Sequence, residues 1–341
     1  MFNKRIIIVM ILAAALLQPL TAQQVTKTGT TAAKFLSVGI GPRANAMGGA
    51  YTSIANDATA MYWNPAGIAN VGEVQAVFTY TKMFADINVN YFGIILPAGE
   101  IGTFGLNVTA LNIGDMDVTT EYYPEGTGET FSAGSYAFGL TFSRYITQDF
   151  SVGINVKYIR EDIFNSSAQG IGFDVGTVFN TPFYGLKFAS SISNYGSKMQ
   201  ISGDDLLVRH DPDEQRSGNN QTIDAFYSTD EYELPLRLQI GISREFQFLE
   251  EHKLTLAVDA IHPNDNNQWV NVGGEIALFN NLISFRGGYK TLFLDDSQEG
   301  LTLGAGIKYD GLGFFKIAVD YSYQKFEFLD NIHSFGVSLS F

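Results

Sequence analysis

Hydrophobic and polar residues alternate along most of this chain. Between residues 149 and 158, large hydrophobic side chains occupy every second position, namely Phe150, Val152, Ile154, Val156 and Tyr158. Successive side chains of a β-strand point to opposite faces, so a period of two residues indicates strands with one apolar and one polar face. The chain is therefore predicted to be all-β.

Fourteen segments show this alternation. Most of them approach the roughly 9 to 11 residues that a tilted strand needs to cross a bilayer, and an even number suits an antiparallel bacterial barrel. We therefore predict a transmembrane antiparallel β-barrel of about fourteen strands, with twelve or sixteen as alternatives. The predicted strands are 74–82, 88–97, 101–112, 133–146, 149–162, 167–180, 184–195, 234–245, 252–262, 266–279, 281–291, 298–309, 313–325 and 332–341.

A soluble β-sandwich would also alternate, so the composition of the two faces has to decide. The polar face of a sandwich is rich in charge, whereas here it consists mostly of Gly, Ser, Thr and Asn. Large aromatic residues lie near strand ends on the apolar face, for example Tyr321 and Tyr323, as in the aromatic girdles of membrane barrels. The chain also ends on Phe341, which resembles the sorting signal of outer-membrane barrels. These features favour the barrel.

The composition excludes several classes of protein. With 45% hydrophobic, 13% aromatic and 16% charged residues, the chain is not of the disordered type. It has no Cys, which rules out disulfides, thiol chemistry and cysteine-ligated zinc. No His occurs in a metal-binding spacing and no base is marked for a hydrolase, so we predict neither an enzyme nor a cofactor or metal site.

The first 22 residues have the features of a secretory signal peptide. Lys4 and Arg5 precede an apolar run over residues 6–17, which is too short to span a bilayer, and a small residue, Ala22, marks the cleavage site. Cleavage leaves 19 basic and 35 acidic side chains and a formal charge of −16. Such a charge disfavours binding to nucleic acid.

Two long loops carry much of the acidic charge. They span Gly114–Thr130 and Gly196–Glu233, and the second includes Asp213 and Glu214. Both are expected to be extracellular. They are interpreted either as solvated acidic loops or as loops that contact a partner or bind calcium, although no EF-hand spacing supports calcium.

Residues 34–70 break the alternation. They are rich in small residues and interrupted by Pro, and an irregular backbone cannot face lipid because its amides would remain unsatisfied there. We therefore predict that this segment plugs the lumen as an N-terminal hatch, residues 23–72, inside a barrel of residues 73–341. Arg43 needs an anionic partner in such a setting, and Asp57 is the nearest candidate in sequence.

The segment contains phrases that resemble the hatch of a known family. These are Phe35-Leu36, Gly41-Pro42-Arg43-Ala44, Ala46-Met47-Gly48-Gly49-Ala50, Asp57-Ala58 and Trp63-Asn64-Pro65-Ala66-Gly67. They are similar to the hatch of the PorV/PorQ family of outer-membrane proteins, within the wider group of FadL-like barrels. The barrel resembles that family more diffusely, at Asn194-Tyr195-Gly196, Leu234-Pro235 and Arg286-Gly287-Gly288-Tyr289.

The resemblance implies a function in the bacterial outer membrane. Members of the family include components of type IX protein secretion, whose partners are a giant translocon barrel and cargo proteins with C-terminal signal domains. The hatch residues to which the resemblance assigns a role are Arg43, Asn45, Met47, Gly48, Gly49, Asp57, Trp63, Asn64 and Pro65. The alternative is a FadL-like transporter of hydrophobic small molecules. Whether the hatch is a fixed plug or a gate that moves stays open.

The polar face of the predicted strands carries charges of both signs. A lumen lined in this way is more typical of salt-bridged filling than of an ion-selective pore. The residues expected to point inward are Lys157, Asp174, Lys187, Arg237, Asp259, Glu275, Arg286, Lys308, Lys316 and Asp320.

Overall fold

Fourteen antiparallel strands pair edge to edge and close on themselves in the computed structural model of the protein. The structure describes residues 27–211, 222–311, 313 and 315–341; the predicted signal peptide, together with Asp213 and Glu214, lies outside these ranges. The barrel strands, β1 to β14 in chain order, are Gln75–Lys82, Asn88–Pro97, Thr103–Asp117, Thr130–Tyr145, Phe150–Ile163, Ser166–Asn180, Leu186–Gly196, Arg237–Phe248, His252–Pro263, Trp269–Leu278, Ile283–Leu292, Glu299–Tyr309, Lys316–Phe326 and Ile332–Ser340.

Each strand pairs with its neighbours in the chain, and the last strand returns to the first. β7 pairs with β8 across the longest loop, and β1 pairs with β14, with Gln75 opposite Ser340 and Lys82 opposite His333. Closure leaves no barrel strand with an unpaired edge, which is the condition for a sheet to exist in lipid. The predicted fourteen-stranded antiparallel barrel is confirmed.

The two faces of the strands differ as the alternation predicts. On β5, Ile154, Val156 and Tyr158 are exposed on the outer surface, whereas Asn155 and Lys157 are buried inside. Burial of the polar face and exposure of the apolar face is the reverse of a soluble protein, and it suits a barrel surrounded by lipid. No helix in the described ranges has the length and apolar character needed to span a bilayer.

The two rims of the barrel differ in the length of their connections. The short-turn rim carries the connections 98–102, 146–149, 181–185, 249–251, 279–282 and 310–315. The long-loop rim carries the connections 83–87, 118–129, 164–165, 197–236, 264–268, 293–298 and 327–331. The connection 197–236 contains short strands at Met199–Gln200, Ser202–Gly203, Leu207–His210, Ile223–Phe226 and Glu231–Tyr232.

Two predicted boundaries differ from the structure. β3 continues to Asp117, past a register shift between Ile113 and Met116, because it pairs with β4 well beyond the predicted strand end. The predicted loop Gly114–Thr130 is therefore partly strand. The predicted strand 234–245 begins only at Arg237, and Leu234, which precedes it, is buried with Phe35.

The remaining elements are short helices. Two α-helical turns, α1 (Pro42–Ala46) and α2 (Ala60–Trp63), lie before β1, between 3-10 helices at Lys34–Ser37 and Pro65–Asn70. Further 3-10 turns occur at Gly99–Ile101 and Asp204–Leu206.

Candidate functional site

Residues 33–71, called here the N-terminal segment, lie inside the barrel. Helix α1 contacts strands β11 to β14, and the 3-10 helix Pro65–Asn70 contacts strands β3 to β6. These two groups of strands form opposite walls, so the segment crosses the lumen from one to the other. Most of its side chains are buried.

On the first wall, backbone packs directly against backbone. A Cβ atom added to Gly273 of β10 would lie 2.2 Å from the carbonyl oxygen of Met47, and one added to Gly288 of β11 would lie 2.3 Å from the amide nitrogen of Gly48. Gly48 itself has a φ of +65°, and a Cβ there would lie 2.8 Å from the amide nitrogen of Tyr289. Only glycine permits so close an approach at these three positions.

The opposite wall repeats this arrangement. A Cβ atom on Gly153 of β5 would lie 2.3 Å from the carbonyl carbon of Pro65, and one on Gly176 of β6 would lie 1.9 Å from Oδ1 of Asn64. The Asn64 side chain also donates a hydrogen bond to the carbonyl oxygen of Thr177, at 3.1 Å. Asn64 thus caps the start of the 3-10 helix Pro65–Asn70, which is fixed against this wall.

Arg43 is the centre of an ion-pair network between the segment and the wall. Its Nε and Nη2 atoms donate to the two carboxylate oxygens of Glu275, at 3.0 and 2.9 Å. The predicted pair with Asp57 is present, but its Nη1–Oδ2 distance is 3.7 Å. Glu275 also accepts a hydrogen bond from Arg286 at 2.5 Å, and Arg286 in turn donates to Asp320 at 2.5 Å. The two arginines therefore share the carboxylate of Glu275.

Tyr51 connects this network to the rest of the segment. Its hydroxyl oxygen accepts from Nη1 of Arg43 at 3.1 Å, and its hydroxyl group donates to Asp57 at 2.6 Å. Burial raises the pKa of Tyr51 well above its usual range, so the hydroxyl keeps the proton that this bond requires. Asp57 also accepts from the amide of Thr59, at 2.9 Å, just before α2 begins.

A buried carboxylate on β9 holds the next turn of the segment. Oδ2 of Asp259 accepts from the backbone amides of Tyr51 and Thr52, at 3.0 and 2.9 Å, and from Gln239, at 2.9 Å. The sequence predicts that Asp259 points into the lumen, but it does not predict this role. An acidic residue on the inner face of a strand indicates a polar contact without identifying the group that it contacts.

The other predicted hatch residues support the fold of the segment itself. Trp63 donates from Nε1 to the carbonyl oxygen of Ile40 at 2.8 Å, and Asn45 donates to the carbonyl oxygen of Gly39 at 3.0 Å. Gly49 has a φ of +73° and lies against the Trp63 ring, which an added Cβ would approach to 3.3 Å. These predicted hatch residues are thus close together in space, and their contacts hold the backbone of the N-terminal segment in place.

A polar cavity of about 190 Å³ lies beside the Arg43 network, towards the short-turn rim. Two of its cations are paired with acids, Lys316 with Glu73 at 2.7 Å and Lys253 with Glu245 at 3.3 Å. Charged side chains of opposite sign therefore form ion pairs in this part of the lumen. Within the described residues, no group of three or more acidic or His side chains could hold a metal ion.

Comparison with known proteins supports the barrel class. Residues 9–177, just under half of the chain, match the model of UPF0164, an uncharacterised protein family. No curated protein sequence matches the chain.

Several solved structures share the fold. The toluene transporter TodX of Pseudomonas putida is 14% identical, with a TM-score of 0.56 over 89% of this chain and 98% of that one. The toluene transporter TbuX of Ralstonia pickettii is 13% identical, with a TM-score of 0.54 over 89% and 98%. A FadL homologue of Pseudomonas aeruginosa is 12% identical, with a TM-score of 0.52 over 89% and 98%.

This chain has the FadL-like barrel fold. Identities this low establish the fold and not the ligand. Two of these three structures are of toluene transporters.

The close approach at Gly288 gives a first prediction. Gly288→Ala should lower the free energy of unfolding by about 1–3 kcal/mol and expose the N-terminal segment to proteases, because the new methyl group overlaps the Gly48 amide. Thermal unfolding in detergent and limited proteolysis measure these effects. Gly287→Ala is the matched control, since its Cβ would meet Leu303 at an ordinary 3.7 Å. Equal behaviour of the two variants would contradict the packing.

The ion-pair network gives a second prediction. Glu275→Gln should lower the free energy of unfolding by about 3–5 kcal/mol, because it leaves two buried guanidinium groups without their shared carboxylate. Asp162→Asn removes the partner of Arg160 on the exposed outer surface and should have little effect. Thermal unfolding of both variants tests this. A loss no larger than that of the control would show that Glu275 does not hold the segment.

Proposed function

We propose that this protein is a bacterial outer-membrane barrel that serves type IX protein export, by binding the translocon barrel, cargo proteins with C-terminal signal domains, or both. The resemblance of the N-terminal segment to the PorV/PorQ hatch suggests the pathway. The FadL-like fold is compatible with it. The main support for the proposal is a set of exposed aromatic side chains on the long-loop rim, which offer a surface for a protein partner.

In this proposal the apolar outer face contacts outer-membrane lipid. The long-loop rim is extracellular and the short-turn rim is periplasmic, as in bacterial barrels generally. The N-terminal segment acts as the hatch of a closed barrel, since glycine contacts and ion pairs fix it to both walls. Binding by the loops then needs no open pore.

The hairpin of β3 and β4 projects from the long-loop rim. These strands have 15 and 16 residues, whereas crossing a bilayer takes about 9 to 11. Beyond them, Tyr122 is 87% exposed and Tyr123 is 63% exposed. Two adjacent exposed aromatic rings outside the lipid have no packing role in the barrel.

The longest loop presents a second aromatic pair. Phe226 and Tyr227 are 61% and 66% exposed, at the end of the two-stranded sheet formed by Leu207–His210 and Ile223–Phe226. Tyr and Phe are enriched in the cores of protein interfaces, where they supply much of the binding free energy. A surface of this kind fits a protein partner better than a small solute.

Purification from the native membrane tests the proposal directly. The tagged protein, solubilised with the outer membrane, should copurify with a giant barrel or with cargo that carries C-terminal signal domains. Recovery of the tagged protein alone, at several detergent strengths, would refute the export role.

The hairpin tip gives a matched pair of variants. Tyr122→Ser combined with Tyr123→Ser should reduce partner recovery at least about tenfold, because interface aromatics commonly contribute 2 kcal/mol or more. Phe183→Ser combined with Tyr184→Ser removes an equally exposed aromatic pair from the short-turn rim and should leave recovery unchanged. Loss in both double variants, or in neither, would exclude the hairpin as the binding surface.

Transport of hydrophobic small molecules is the second candidate. A mainly apolar cavity of about 380 Å³ opens at the long-loop rim, lined by Ile113, Ala168, Met199 and Ile201 among others. Toluene is transported by two proteins that share this fold. Hydrophobic pockets of this size suit small ligands.

Uptake measurements separate the second candidate from the first. If the protein transports hydrocarbons, cells that carry it should accumulate toluene faster than cells that lack it. Ala168→Phe, which fills the cavity, should remove that difference without changing the amount of barrel in the membrane. Equal uptake with and without the gene would refute the transport role.

A further inference from the structure

A second cavity lies in the lumen near the long-loop rim. It has a volume of about 250 Å³ and is enclosed between the N-terminal segment and strands β8 to β14. Trp63 of the segment and Trp269 of β10 both line it. These are the two tryptophans of the chain.

Arg237 is the exceptional residue of this cavity. Its guanidinium group lies over the rings of Tyr62 and Trp63, at 5.5 and 5.7 Å from their centroids. These are cation–π contacts, and the buried Nε and Nη2 atoms of Arg237 have no hydrogen-bond partner. Elsewhere in the lumen, Arg43 and Arg286 are each paired with carboxylates.

The other charges around the cavity are already matched. Lys34 contacts Asp265, and Lys290 lies 3.4 Å from Glu299. Among the described residues, Arg237 forms no ion pair, so the cavity keeps one uncompensated positive charge. A second donor, Nε2 of Gln324, is also buried there without a partner. Buried unpaired donors are costly, and an anion would satisfy them.

The rest of the lining is partly polar and uncharged, through Ser37, Asn45, Thr81, Gln239 and Asn271, and partly apolar. Ile261, Ile332 and Met83 supply apolar surface together with the two tryptophans. An inorganic anion would leave this surface unused, whereas a carboxylate on an aromatic or short aliphatic body would match both parts. We propose that this cavity binds a small organic carboxylate, with Arg237 as counter-ion and Trp63 and Trp269 against the apolar body. This goes beyond the export role and does not depend on it.

Tryptophan fluorescence tests the site, because both tryptophans line it. The probe is benzoate, titrated into the mature chain in non-ionic detergent, with benzyl alcohol as its neutral analogue. Benzoate should change the tryptophan emission saturably, and benzyl alcohol should bind at least about tenfold more weakly because it lacks the charge. Equal binding of the two compounds, or no saturable change with benzoate, would overturn the proposal.

Variants on one strand distinguish the site from the detergent-facing surface. Arg237→Gln should weaken benzoate binding about tenfold or more, whereas Arg244→Gln should not, since Arg244 stacks on Phe246, a residue exposed on the outer face of the same strand. Heat-dependent electrophoretic mobility checks that each barrel is folded. If Arg237→Gln does not fold, Arg237→Lys should bind benzoate more weakly than the original chain. Unchanged affinity in the Arg237 variant would refute the assignment.

Discussion

Backbone contact between the N-terminal segment and the barrel wall is the constraint on which the other features depend. Gly273 and Gly288 on one wall, and Gly153 and Gly176 on the other, admit the segment to distances that any side chain would block. Because the segment is in contact at both ends, its height and rotation in the lumen are fixed. The polar groups of the segment then meet defined partners on the strands.

The charges of the lumen follow from that placement. A guanidinium group removed from water must recover its hydration energy through ion pairs and hydrogen bonds. Arg43 forms its ion pair with Glu275. The buried backbone amides of Tyr51 and Thr52 likewise replace their hydrogen bonds to water by donating to Asp259. Many directed contacts therefore hold the segment in the lumen. Arg237 departs from this rule, since among the described residues it forms no ion pair and its guanidinium group lies over two aromatic rings.

The barrel separates its surfaces by physical environment. Apolar side chains on the outer face suit lipid, ion pairs and small residues fill the centre, and exposed aromatic side chains lie on the long loops. We propose that these exposed aromatic side chains bind a partner. A fold shared with toluene transporters does not choose between protein and solute, because the loops and cavities carry the specificity and they vary while the barrel is retained.

The sequence by itself determined the barrel class, the position of the segment in the lumen and the need of Arg43 for an anion, and it predicted about fourteen strands, with twelve or sixteen as alternatives. These follow from local properties: a period of two along each strand, and a run of small residues that cannot face lipid. It proposed Asp57 as the partner because that residue is near in the chain. The structure adds Glu275, 232 residues away, as the closer one. Which inward residues meet depends on strand register around the closed barrel and on the path of the segment between its walls, and neither is a property of local sequence.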